Sequence, residues 1–184
     1  MLARREPVTL RNLVAGTGVS AMAVYTYFDG MPGLWSAVRQ QGFLALDRRL
    51  ARVRRTTDPV ADLAAAGRAY VDSALAAPHL YRAMFDGAAP LADEPAADAT
   101  FDALHAAVQR CVTEARFAAD LDAAGFAGQL WTAAHGVCIL ICSDVLGTEA
   151  VRATLVPLTV NLYVAAGDSR SSAAASLEAG WRDG

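Results

Sequence analysis

Lysine does not occur among the 184 residues, and all sixteen basic side chains are arginine. Together with alanine runs such as residues 64–66, this reads as coding bias in a GC-rich genome. Cysteine is scarce as well. Cys111, Cys138 and Cys142 are too few, and odd in number, for a disulfide framework, so a reducing cytoplasm fits best. The longest apolar stretches, residues 130–142 and 155–166, fall short of the ~20 residues that cross a bilayer, and no membrane span is expected. Arg4, Arg5 and Glu6 precede any apolar run, so no signal peptide is expected. Alternating β-branched and aromatic runs, the mark of strands, are missing. So are a nucleophile elbow, a phosphate loop and a His-Glu-x-x-His pattern, which argues against an enzyme and leaves no cofactor to expect.

What is present is apolar and helical. Hydrophobic residues make up 54% of the chain and charged residues 19%, enough to bury a core and too apolar for disorder. The net charge of −3 hides an asymmetry: residues 1–55 carry +6, residues 56–184 carry −9. A basic front and an acidic rear suggest that one end meets a polyanion while the rest is repelled by it. Helical periodicity runs nearly throughout, so the fold is expected to be all-α. Thr9 caps a short helix with Leu10, Leu13 and Val14 on its apolar side, Gly16 and Gly18 break it, and Ser20 caps a second short helix ending near Phe28. Pro32 opens a long helix through Leu50, and Asp58-Pro59 opens another to about Ala77. Pro78 resets the chain into residues 79–86, and residues 87–95 read as a loop. Helices follow over 96–118, 122–146 and 148–166, the last kinked at Pro157. The domains expected are 1–45, 46–167 and a loose tail over 168–184.

Two short helices around a glycine-bearing turn form the helix-turn-helix pattern, whose second helix enters the DNA major groove. At about 100° per residue, with Val24 inward, Ala21, Tyr27 and Phe28 lie within about 60° of the core direction. Met22 and Thr26 face away, with Tyr25 on the flank, so these three are the groove-facing candidates. Met22 can touch a thymine methyl and Thr26 can bond to base edges, but no Arg, Asn or Gln offers a bidentate contact. Much of the affinity must then come from phosphates, through Thr9, Arg11, Tyr27 and the amides behind Ser20 and Ala21 at a helix N-terminus.

These residues carry a family resemblance. Gly18-Val19-Ser20, then Val24-Tyr25-x-Tyr27-Phe28 and Leu34, resemble the DNA-binding domain of the TetR/AcrR family of bacterial transcriptional regulators. Further on, Trp131-Thr-Ala-Ala-His135-Gly136 resembles the Trp-x-x-x-His-Gly motif of a C-terminal ligand-binding domain in one branch of that family. The resemblance covers roughly residues 8–166. It departs from the family in two places: about a dozen helical residues normally precede the position of Thr9, where residues 1–8 stand here, and Met31 replaces a frequent phosphate-touching lysine.

The resemblance implies a homodimer on double-stranded operator DNA, controlled by a small effector, most simply as a repressor. Phe126, Val137 and Ile141 on one helix and Val151, Leu155, Leu158 and Leu162 on the next suit a four-helix dimer core, or else fill the monomer. Tyr70, Tyr81, Phe85, Phe101 and Trp131 supply aromatic walls, with His135 and His105 as polar contacts, for a hydrophobic or aromatic small molecule. Gly136 suggests close helix approach beside His135. His135, Cys138 and Cys142 share a helix side and admit a metal or thiol sensor, but lack a fourth ligand. The competing readings are a small-molecule binding or dimerisation protein that no longer reads DNA, and a helical enzyme on an apolar substrate.

Overall fold

In the computed structural model, which describes residues 9–86 and 95–182, the chain is an all-α bundle, and no strand occurs among the described residues. Helix α1 spans Leu10–Val14, α2 Ala21–Phe28, α3 Met31–Leu50, α4 Pro59–Ala76 and α5 Pro78–Met84. Beyond the undescribed stretch come α6 (Pro95–Thr113), α7 (Ala123–Cys142), α8 (Val156–Ala165) and α9 (Arg170–Arg182). The loop expected over 87–95 lies outside the described residues except for Pro95, which opens α6. Residues 1–8, with Arg4 and Arg5, also lie outside them.

The starts follow the capping chemistry read from the sequence. Thr9 accepts from the Asn12 amide at 3.3 Å, Ser20 from the Ala23 amide at 3.3 Å, and Asp58 from the amides of Val60 and Ala61 at 3.0 and 3.1 Å. Gly16 and Gly18 both hold positive φ, 75° and 73°, which a side chain would resist, and this makes the sharp turn between α1 and α2. Helix α3 runs unbroken through residues 45 and 46, so the expected domain boundary falls inside one rigid rod about 30 Å long.

Helix α4 is the post around which the body is built, with α3, α5, α6, α7 and α9 packed against it. Val60, Ala64, Val71 and Ala74 on it are all but inaccessible. The charge asymmetry is redistributed by α3. Arg48, Arg49, Arg52, Arg54 and Arg55 sit at or just beyond its C-terminal end, a helix length away from α2, so much of the positive charge is not beside α2. The kink at Pro157 takes a specific form. Proline offers no amide to the Ala153 carbonyl, and the chain opens into a π-helical turn over Val151–Leu155, with the Val156 amide reaching back to Val151, before α8 resumes.

The tail over 168–184 is corrected by the structure, for residues Arg170–Arg182 form α9 and lie along α4. Small residues make this possible. A Cβ at Gly180 would collide with the Ala61 carbonyl and come within 2.7 Å of the Ala65 amide nitrogen, so the two backbones nearly touch there. Leu177 and Trp181 are buried one turn apart, each of a size that contributes ~1.5–3 kcal/mol. Arg116 then ties the end of α6 to both helices. It donates to Asp58 at 2.8 Å, to Asp168 at 2.7 Å and to the Ser176 hydroxyl at 3.0 Å, while Ser176 donates to Asp58 at 2.6 Å. This network also ends α6 at Thr113, short of the expected residue 118: Ala115 takes φ 56° and swings Arg116 toward its partners.

Helix α7 is 20 residues long and, by length and composition alone, apolar enough to cross a membrane, because it extends the apolar stretch back to Ala123. Its Phe126, Ala127, Val137, Cys138 and Ile141 are buried within the bundle. One third of its apolar window is buried there.

Replacing Gly180 by alanine is expected to cost about 1–3 kcal/mol in urea unfolding. The helix propensity gain of up to ~1 kcal/mol is outweighed by the clash with the α4 backbone. An acid titration is expected to show a second signature. Burial raises the Asp58 carboxyl, but the Ser176 hydroxyl, the Ala61 and Val60 amides and Arg116 outweigh it and hold the group below its ordinary 3.8. Asp62 is lowered likewise, burial being outweighed by Thr56 and Arg110. Stability from these groups is therefore present above pH 3.8 and lost as pH falls through their folded values, and thermal melts between about pH 5 and 2 should show it. In Ser176→Ala the loss should begin at higher pH.

Candidate effector cavity and DNA-reading helix

Between α3, α4, α6 and α7 lies a cavity of about 960 Å³, at the upper end of the ~300–1,000 Å³ typical of small-molecule sites. Its walls come from sequence-distant elements: Phe43, Leu46 and Leu50 from α3, Leu63 and Tyr70 from α4, Met84 and Phe85 from the end of α5, Leu104 from α6 and Trp131 from α7. Leu177 and Trp181 of α9 also face it. Of the residues expected to form an effector site, Tyr70, Phe85, Phe101 and Trp131 line this space. Tyr81 and His135 do not. They stand directly behind the wall and hold it, while His105 on α6 lies outside the lining.

The support behind the wall is a closed polar cluster. The Tyr81 hydroxyl lies 2.7 Å from His135 Nδ1, the Tyr70 hydroxyl 2.6 Å from Tyr81 and 3.2 Å from the same ring nitrogen. Burial, chiefly, pushes both phenols well above their ordinary value, and burial lowers His135, so neutral forms are favoured. With both phenols protonated, Tyr81 donates to Nδ1 and Tyr70 donates to Tyr81, so both hydroxyls are paired. Trp131 stacks on the imidazole at 5.3 Å and Phe85 meets it edge-on at 4.4 Å. The cluster fixes the aromatic rings that face the cavity, and its geometry is that of a scaffold. Cys142 turns elsewhere, its Sγ approaching the Ala74 carbonyl at 3.7 Å, whereas Cys138 stands against the Tyr81 hydroxyl and burial raises its thiol to about 12. Gly136 does not mediate a close approach within the chain, since a Cβ there would meet nothing within 4 Å.

Two guanidiniums of the cavity lining are held by protein oxygens. Arg110 donates to Asp62 at 2.5 Å, to Glu114 at 2.6 Å and to the Thr56 carbonyl at 2.7 Å. Arg39 donates to the Met84 carbonyl at 3.0 Å.

At the other end of α3, helix α2 presents its outer side to solvent. Val24 is buried against the bundle, as its position on the wheel requires, and Met22 is 71% exposed. Tyr25 and Thr26 are exposed too, the Thr26 hydroxyl donating to the Met22 carbonyl at 3.0 Å and so keeping its lone pairs outward. Thr9, Arg11, Ser20 and Ala21 are likewise exposed. The inward placing of Ala21, Tyr27 and Phe28 is corrected: Tyr27 is 78% exposed and Phe28 37%. Helix α1, five residues long with none buried, is too short to cover that arc of α2.

The dimer residues read from the sequence are largely corrected as well. Phe126, Val137, Ile141, Val151 and Leu155 lie in the core of the single chain, and Leu162 is packed against it, because the inward stripe of α7 and the π-helical turn both face the interior of the bundle. Leu158 alone of the seven is open to solvent. The outer side of α7 instead shows Gly128, Thr132, Gly136 and Leu140 at four-residue spacing. Sequence reasoning also missed the α3 and α9 walls of the cavity. The apolar pair Leu177 and Trp181, four apart, was the available signal for the latter.

Comparison with known proteins agrees with this layout. No curated protein matches the sequence. The fold is similar to a solved structure of a protein with unknown function from Rhodococcus sp. RHA1, with a TM-score of 0.73 and 25% identity over 88% of this chain and 86% of that one. Residues 63–162, more than half of the chain and most of the cavity-bearing body, match the family described as "Tetracyclin repressor-like, C-terminal domain". The chain therefore belongs to the TetR family of transcriptional regulators.

Proposed function

We propose that the protein is a cytoplasmic homodimeric repressor that reads double-stranded operator DNA with α2 and is released by a small hydrophobic effector in the cavity. The observation that carries this reading is the shared helix α3. Its first turns support α2, and its later turns supply Phe43, Leu46 and Leu50 to the cavity. A ligand that binds differently to two positions of α3 would shift the reading helices, which is the requirement for coupling. The exposed Met22, Tyr25, Thr26 and Tyr27 support the DNA-reading role, and Thr9, Arg11 and the capped N-terminus behind Ser20 and Ala21 suit phosphates.

A two-fold assembly follows from operator geometry, since half-sites about 34 Å apart need two reading helices. We assign the contact to the outer side of α7, where Gly128 and Gly136 leave room for a second backbone, and to exposed Leu140 and Leu158. The effector is hydrophobic because the walls around Tyr70, Phe85, Phe101 and Trp131 are almost wholly apolar.

Fluorescence anisotropy with the upstream region of its own gene tests the DNA reading. Tyr27→Ala is expected to weaken binding to specific and random duplexes alike, roughly tenfold, while Thr26→Ala alters base preference. Identical losses for both variants on both duplexes would reject the assignment. Sedimentation velocity tests the assembly: L140E/L158E should convert dimer to monomer with helical content unchanged and operator affinity much reduced. A variant that stays dimeric excludes this surface.

A further inference from the structure

The cavity is not uniform along its length. On α6 it extends from Thr100 and Phe101 to Arg110, and on α4 from Tyr70 back to Asp62 and Pro59, a span of about 15 Å in each case. One end is aromatic, walled by Trp131, Phe85 and Phe101. The other lies beside the α3–α4 connection, where exposed Arg54 and Arg55 form the rim. These two guanidiniums differ from the other arginines of the lining. Arg39 and Arg110 are held by protein oxygens, whereas Arg54 and Arg55 have neither an ion pair nor a hydrogen bond among the described residues. Asp47 is the one carboxylate at the rim, among the described residues, besides the Asp62 already locked to Arg110, which leaves the unpaired charge there positive.

Resting on the reading of this cavity as an effector site, we propose that its ligand is a long-chain carboxylate, with the apolar tail laid toward Trp131 and Phe85 and the carboxylate held by Arg54 and Arg55. Unpaired guanidiniums at the edge of a low-dielectric space attract a carboxylate more strongly than in open water, and their planar donor pairs match its two oxygens. The elongated apolar span sets the tail: a short aromatic acid would occupy one end and leave the other unfilled. A cationic amphiphile would be repelled at the rim.

Calorimetric titration of the full chain with dodecanoate, 1-dodecanol and dodecylammonium, each below its micelle concentration and at low salt, tests this. Dodecanoate is expected to bind about tenfold tighter than dodecanol. R54Q/R55Q is expected to abolish that ratio without changing dodecanol affinity, both residues being exposed and outside the core. Added salt should shrink the ratio in the wild type only. Equal affinity for acid and alcohol, a preference that survives the double substitution, or tightest binding of the ammonium compound overturns the carboxylate proposal while leaving the cavity as an apolar effector site. Binding of none of the three overturns the cavity reading and this proposal together.

Discussion

The near contact of two backbones, α9 on α4 at Gly180, is the constraint on which the rest of the body depends. It lets Trp181 and Leu177 reach the cavity from behind, and it brings Ser176 close enough to Asp58 for the Arg116 network to close. Because Asp58 is also the N-cap of α4, the same carboxylate starts the central helix and fastens the last one to it. Trp181 is fastened a second time: its carbonyl accepts from Arg68 at 2.6 Å, and the Arg68 guanidinium lies 5.7 Å over its ring. Polar links at the margin thus lock an apolar core that would otherwise tolerate sliding of smooth, alanine-rich helices.

The consequence for α3 is a helix with two kinds of neighbour. Its first turns carry α2, and its later turns face the body and the cavity. One continuous rod thus touches both α2 and the cavity, which is the contact the proposed coupling requires.

Much of this was legible in the sequence where local chemistry decides. Thr9, Ser20 and Asp58 announce helix starts by their own side-chain oxygens, Gly16 and Gly18 the turn between the first two, and Pro157 a disturbance of its helix. The aromatic residues Tyr70, Phe85, Phe101 and Trp131 were found because a cavity of this type needs such walls. The failures share a cause. Leu177 and Trp181 look isolated in a Ser- and Ala-rich stretch, and only the fit of small residues against α4 shows why they order it. The apolar stripe from Phe126 to Ile141 is visible as a stripe, but whether it meets this chain or another depends on what α4 and α6 already cover. Tyr27 was placed inward by a wheel that assumes a neighbour on every apolar side, and α1 is too short to be that neighbour. Similarly, charge counted along the chain could not reveal that five arginines cluster at the far end of α3.

The widened turn over Val151–Leu155 has an outcome for the geometry of α8. One additional residue in a turn rotates everything after it by about 100° relative to an uninterrupted helix. Val151 and Leu155 therefore point to the interior while Leu158 points outward, although a regular three-to-four spacing would have put all three on one line. The bulge acts as a swivel in the primary sequence: it hands the inward line from Val151 and Leu155 over to Val160 and Tyr163 and leaves Leu158 outside.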